Sequence, residues 1–124
     1  MSAATLTVGE VARASGVAVS AVRFYDQHGV IEAMRTSTNQ RRFDDSTACR
    51  ISVAKLAQRV GLTVREIADL FADLPADAGQ RDWERVGTRL VEEAERRVVE
   101  LQVALDQLAS GERLCELGAA GDEA

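Results

Sequence analysis

Apolar residues recur along most of this chain at steps of three and four, the spacing of helices that bury one face. In "TLTVGEVARASGV", Val8, Val11 and Ala12 share such a face. Thr7 stands three residues before Glu10, which matches a capping box, and Gly16 supplies a left-handed stop. A second short helix is predicted from about Ser20 to His28, closed by Gly29. Two short helices joined by a tight turn make a helix-turn-helix pattern. The period then changes. "VIEAMRTSTNQRRF" opens with apolar Val30 and Ile31, runs through polar residues that favour turns, and closes on Phe43, which predicts a β-ribbon with a polar tip.

Helical spacing returns in "DDSTACRISVAKLAQRVG", with Asp44 or Asp45 as the cap, Ile51, Ala54, Leu56 and Val60 as the apolar set, and Gly61 as the stop. Thr63 and Glu66 form a second capping box, opening a helix through Ile67, Leu70 and Phe71. Pro75, Asp77 and Gly79 mark a linker over 75–80. From 81 to 110 the residues Trp83, Val86, Leu90, Ala94, Val98, Leu101, Leu105 and Leu108 recur at steps of 3, 4, 4, 4, 3, 4 and 3, close to a heptad seam. Thirty helical residues span roughly 45 Å, longer than a small domain can cover. A partner helix from a second copy is the economical cover, and folding back on the first domain is the alternative. The expected layout is therefore residues 1–74 as a compact domain, the linker, the long helix, and a short acidic tail over 111–124.

Composition agrees with helix: aromatics are 4% and there is one proline. Charge changes the picture more. The net is −5, yet residues 1–65 hold nine Lys/Arg against five Asp/Glu, and residues 66–124 hold six against fifteen. A basic first half and an acidic second half suggest that only the first meets a polyanion. Three arginines, Arg35, Arg41 and Arg42, fall within the ribbon. His28 is the only histidine and the two cysteines, Cys49 and Cys115, form no CxxC pair, which leaves metal and triad chemistry poorly supplied. No phosphate loop or paired-acid site stands out, so an enzyme is not expected, and Glu92, Glu93 and Glu95 are read as solvated surface. No apolar run is long enough to span a membrane and "MSAATLTVGE" lacks the features of a secretion signal, so a cytoplasmic protein with free thiols is expected.

The order of these elements resembles the MerR family of transcription regulators. "TVGEVARASGVAVSAVRFYDQHGVI" is similar to its first helix, turn and recognition helix, "RTSTNQRRF" to its wing, and "AQRVGLTVREI" to its second helix pair. The wing is most like that of the SoxR branch. The resemblance implies an all-α fold with a small β-ribbon wing, a winged helix-turn-helix domain followed by a long dimerisation helix that forms an antiparallel coiled coil. It implies double-stranded promoter DNA as partner, bound by a homodimer at an inverted repeat, with the promoter spacer bent and untwisted on induction and RNA polymerase engaged indirectly. Ala18, Val19 and Ser20 then approach the groove and Arg23 reads a base edge. Asn39, Gln40, Arg41 and Arg42 form the phosphate-facing wing, because a guanidinium fork suits phosphate oxygens. Arg35, at the ribbon's base, is set to pair with Glu32. Tyr25 either places its hydroxyl on a phosphate or packs beside Phe24. Thr7 and Val8 offer helix N-terminal N–H groups, and Arg59 and Gly61 add backbone contacts.

In SoxR four cysteines after the long helix hold an iron–sulfur cluster. Here only Cys115 stands in that segment, where Glu112 and Leu117 also lie, so no such cofactor is expected. The signal is then a thiol switch at Cys115, a small molecule held near an apolar wall of Phe71, Leu74 and Trp83, or none. An inert Cys115, and a Trp83 that packs in the core at the head of the seam, are the plainer readings. The rival class is a helical dimeric adaptor or anti-regulator without direct DNA binding, which has no need of Arg41 and Arg42 beside a helix-turn-helix.

Overall fold

A computed structural model describes residues 5–111 and Cys115. The element order is α1 (Val8–Ser15), α2 (Val19–Gln27), β1 (Met34–Arg35), β2 (Arg41–Arg42), α3 (Thr47–Val60), α4 (Val64–Phe71) and α5 (Gln80–Ala109). The expected tail falls outside the described residues apart from Gly111 and Cys115. No described helix is long and apolar enough to cross a membrane.

Both capping boxes form. Thr7 Oγ1 accepts from Glu10 N at 3.1 Å while Thr7 N donates to Glu10 Oε1 at 3.0 Å. Thr63 and Glu66 repeat the exchange at the start of α4, at 3.1 and 2.8 Å. Each pair satisfies two N–H groups that a helix start otherwise leaves open. Neither Asp44 nor Asp45 caps α3, which is a correction: the N-cap is Ser46, without a side-chain cap hydrogen bond, because the helix starts later than expected. Asp44 instead braces the turn before it, its Oδ1 accepting from Ser46 N at 2.9 Å and from the Ser46 hydroxyl. The end of α3 turns at Gly61, whose φ of 112° lies where side chains are disfavoured.

Val11, Val22, Phe43, Ile51 and Ile67 are fully buried at the centre, drawn from α1, α2, the segment after the wing, α3 and α4. Phe43 also fixes the wing's root. Its N–H donates to Leu6 O at 2.8 Å and its carbonyl accepts from Leu6 N at 2.9 Å, which pins the ribbon beside the start of α1. The ribbon pairs antiparallel, Met34 opposite Arg42 and Arg35 opposite Arg41. Thr36 N donates to Gln40 O and Asn39 N donates to Thr36 O, closing a three-residue loop. Asn39 takes φ 62° at its end, the left-handed position such loops require, and asparagine accepts that more readily than most residues.

The long helix divides its apolar line between two uses. Trp83 meets Phe71 edge to face at 5.9 Å between ring centroids, and Val86 and Leu90 are buried in the chain's own core. Placing these three on the dimer seam is thereby corrected: the head of α5 folds back on the first domain, the alternative left open by the periodicity. Ala94 is half-buried, and Val98, Leu101, Leu105 and Leu108 are exposed, Leu101 at 69%. Arg97 carries the attachment two turns beyond Leu90. Its guanidinium donates to Gly61 O at 3.3 Å, lies 3.7 Å from Glu66 and pairs with Glu93 at 2.8 Å. A Cβ at Gly61 would meet Arg97 Nε at 3.0 Å, so the glycine also makes room for this contact.

The capping carboxylates set an acid limit on stability. Backbone N–H groups of Thr7 and Thr63, then their hydroxyls, hold Glu10 and Glu66 below the ordinary carboxylate value of 4.5. A depressed folded-state pKa contributes stability that is present above pH 4.5 and lost as pH falls through the lowered values. Thermal melts followed by circular dichroism should therefore shift modestly downward below that pH through these two groups, and Glu10→Gln with Glu66→Gln should reduce that part of the shift.

Candidate nucleic-acid interface

Helix α2 presents one polar edge to solvent and one apolar edge to the core. Val22 and Tyr25 are buried, whereas Ala18, Val19, Ser20 and Arg23 are exposed. The helix starts at Val19, one residue before the sequence expectation, and Ala18 provides no side-chain cap. Ala21 N donates to Ala18 O at 3.0 Å, and the small side chains of Ala18 and Ser20 are exposed beside this helix start.

The wing stands next to this edge. Arg41 reaches across to Asp26 of α2, Nη2 to Oδ2 at 2.9 Å. Arg42 donates to Gln40 Oε1 at 2.7 Å and to Arg41 O at 2.9 Å. Arg35 donates to Asn39 O at 3.2 Å rather than pairing with Glu32, because the closed loop brings the Asn39 carbonyl across from β1. Asn39 and Gln40 thus shape the ribbon as well as facing outward. Thr7 and Val8 are half-buried at the start of α1, and Arg59 and Gly61 are exposed at the α3–α4 turn. The wing is thus joined to α2 by the Arg41–Asp26 pair and to the start of α1 by the Leu6–Phe43 bridge, whereas Arg59 and Gly61 lie at the end of α3.

Tyr25 belongs to the core. Its side chain is 6% exposed, and its hydroxyl donates to Gln58 Oε1 of α3 at 2.5 Å. Of its two readings, packing is the one realised, with Phe24 edge to face at 5.9 Å. The hydroxyl proton is committed to Gln58, so meeting a phosphate would mean exchanging that partner. Burial also pushes the Tyr25 hydroxyl's pKa upward, which favours the neutral donor.

A groove of about 760 Å³ runs between α4 and the root of α5. Leu70, Leu74 and Val86 line it together with Arg81, Arg85 and Arg89. Of the expected wall of Phe71, Leu74 and Trp83, only Leu74 faces this space, since the two rings are spent on each other.

Residues 6–74 match the family described as MerR HTH family regulatory protein, and residues 49–110 match MerR, DNA binding. The chain belongs to the MerR family. It is 32% identical over 112 residues to the HTH-type transcriptional activator SoxR homolog of Chromobacterium violaceum, covering 89% of this chain and 76% of that one. It is 38% identical over 67 residues to the mercuric resistance operon regulatory protein of Shigella flexneri, covering 53% of this chain but 46% of the relative. Its fold matches the crystal structure of HiNmlR, a MerR family regulator lacking the sensor domain, bound to promoter DNA. The TM-score is 0.55 at 23% identity, over 88% of this chain and 86% of that one.

The sequence holds two cysteines, Cys49 and Cys115. An iron–sulfur cluster takes about four thiolates. Cys49 lies exposed on α3 and Cys115 lies exposed beyond α5. Among the described residues, no group of three His, Cys, Asp or Glu is placed to hold a metal.

Three participants escaped the sequence reading: Asp26, Gln58 and Arg97. Each acts through a partner 15 to 36 residues away, which periodicity does not report. A faint signal existed for Asp26, a lone acid one turn after Arg23 on an otherwise uncharged helix. Tyr25→Phe removes one hydrogen bond and leaves Gln58 on a largely solvated surface, so chemical denaturation should show a loss of about 1 kcal/mol.

Proposed function

We propose that this MerR-family protein is a DNA-binding transcriptional regulator that grips an inverted repeat in promoter DNA as a homodimer. The observation that carries the reading is the juxtaposition of the exposed α2 edge with a wing holding Arg35, Arg41 and Arg42. Arg23 reads a base edge, most readily guanine, through its planar fork. Ala18, Val19 and Ser20 let the helix start sit deep in the groove. Arg41 and Arg42 meet phosphates, and Thr7, Val8, Arg59 and Gly61 add contacts at helix ends.

The net charge of −5 does not oppose this. Affinity depends on phosphates neutralised locally, and salt confines the field of exposed charges to about 10 Å. Fifteen of the twenty acidic residues lie in 66–124, outside the helix-turn-helix and the wing.

Dimerisation uses the exposed distal line of α5, from Val98 through Leu101 and Leu105 to Leu108, in an antiparallel coiled coil. The two DNA-binding domains are then held at a fixed separation. A small change in that geometry bends and untwists the spacer, and RNA polymerase responds to DNA shape rather than to a direct contact. Bending such a site costs a few kcal/mol, which the backbone contacts offset. The groove between α4 and α5 is the place for a small-molecule effector, since it sits where the rod joins the domain. The signal is not routed through an iron–sulfur cluster.

Fluorescence anisotropy on the duplex upstream of the gene, titrated with salt, tests the proposal. Binding should weaken steeply with salt. Arg23→Ala should lose about 1–3 kcal/mol of discrimination between this duplex and a scrambled one, and Arg42→Ala should lower the salt slope by about one for each wing. Absence of binding at low salt would overturn the reading. Binding indifferent to Arg41→Ala with Arg42→Ala would count against the wing as a phosphate contact.

A further inference from the structure

Asp26 is an acid on the surface that the proposed function turns toward a polyanion. Left unpaired there, its charge would repel phosphate and weaken binding. Its side chain is only 11% exposed, and Oδ2 accepts from Arg41 Nη2 at 2.9 Å. The rest of the wing is tied elsewhere. The tip closes on itself between Thr36 and Gln40, and the root is bridged to Leu6. Arg35 is engaged with Asn39, and Arg42 with Gln40. Among the described residues, Arg41–Asp26 is the only ion pair that joins the wing to α2.

Arg41 is not consumed by this pairing. Its side chain remains 49% exposed, and a guanidinium has five N–H donors in a rigid plane. One edge can hold a carboxylate while another faces outward. The carboxylate then sets the plane and direction of the remaining donors.

We propose that Asp26 is a positioning residue for DNA binding, fixing the wing against the recognition helix and aiming the free N–H groups of Arg41 at a backbone phosphate. The inference rests on the DNA-binding reading above and assigns a role to a residue which that reading leaves unused. It makes an unusual demand: removing a negative charge from a DNA-facing surface must weaken binding.

Anisotropy on a random-sequence duplex of about 30 base pairs, between about 50 and 200 mM salt, reads this directly. Asp26→Asn should bind about tenfold more weakly than the native chain, and its salt slope should be shallower by about one for each wing. Asp26→Glu, which keeps the charge, should restore most of the affinity. Arg41→Gln should weaken binding to a similar degree, and the double variant should bind no more weakly than Arg41→Gln alone. Circular-dichroism melts confirm that each variant is folded, and Asp26→Ser replaces Asp26→Asn if the latter does not fold. Equal or tighter binding by the neutral variant, or losses that add in the double variant, would overturn the positioning role alone. A native chain with no affinity for the duplex would overturn the DNA-binding reading itself, and the positioning role with it.

Discussion

Trp83, Val86 and Leu90 turn the first three turns of α5 into part of the domain that precedes it. Trp83 packs its edge on Phe71, and the two aliphatic residues close the core over α3 and α4. Arg97 extends the attachment by reaching the Gly61 carbonyl at the α3–α4 turn and the carboxylate of Glu66. Glu66 in turn caps α4 through Thr63. The rod is thus joined to the domain by apolar burial at its root and by a charged knot further out. Beyond Arg97 its apolar line has no cover among the described residues, with Val98, Leu101, Leu105 and Leu108 all exposed. A water-facing line of this length is a surface that a second copy can bury.

The same attachment gives the proposed switch a mechanical route. A shift of the rod moves Arg97, and Arg97 touches the turn at which Arg59 and Gly61 face outward. The groove at the rod's root is lined by residues of α4 and α5, so an occupant there would bear on the same joint. At the other end of the domain, the Leu6–Phe43 bridge and the Asp26–Arg41 pair hold the wing to the body. The proposed DNA-facing surface is therefore assembled from α1, α2 and the wing by contacts that cross between elements, and not by any one of them.

The two capping boxes and the glycine stop are legible in the sequence because their physics is local, whereas the cap of α3 falls on Ser46 rather than on Asp44 or Asp45. Thr7–Glu10 and Thr63–Glu66 specify helix starts within four residues, and Gly61 specifies a stop by its own backbone freedom. The polar run from Thr36 to Gln40 signalled a turn, and Asn39 supplies its left-handed residue. Partners were not legible in the same way. A heptad spacing says which face of α5 is apolar but not what covers it, and the answer changes near Ala94 from the chain's own core to solvent. Tyr25 could not be assigned from sequence because its partner Gln58 lies 33 residues away on α3. Arg35 was expected at Glu32 by proximity along the chain, yet loop closure brought Asn39 nearer. The candidate surface was legible as a set of exposed residues, while the interactions that orient them were visible only once the fold had brought distant segments together.

Sedimentation equilibrium on the chain at micromolar concentration tests the division of α5 most directly. The account predicts a species of twice the 13.4 kDa chain mass, held by the line that the domain leaves uncovered. A single-chain mass across that range would contradict it, because the distal rod would then stand in water with its leucines unpaired.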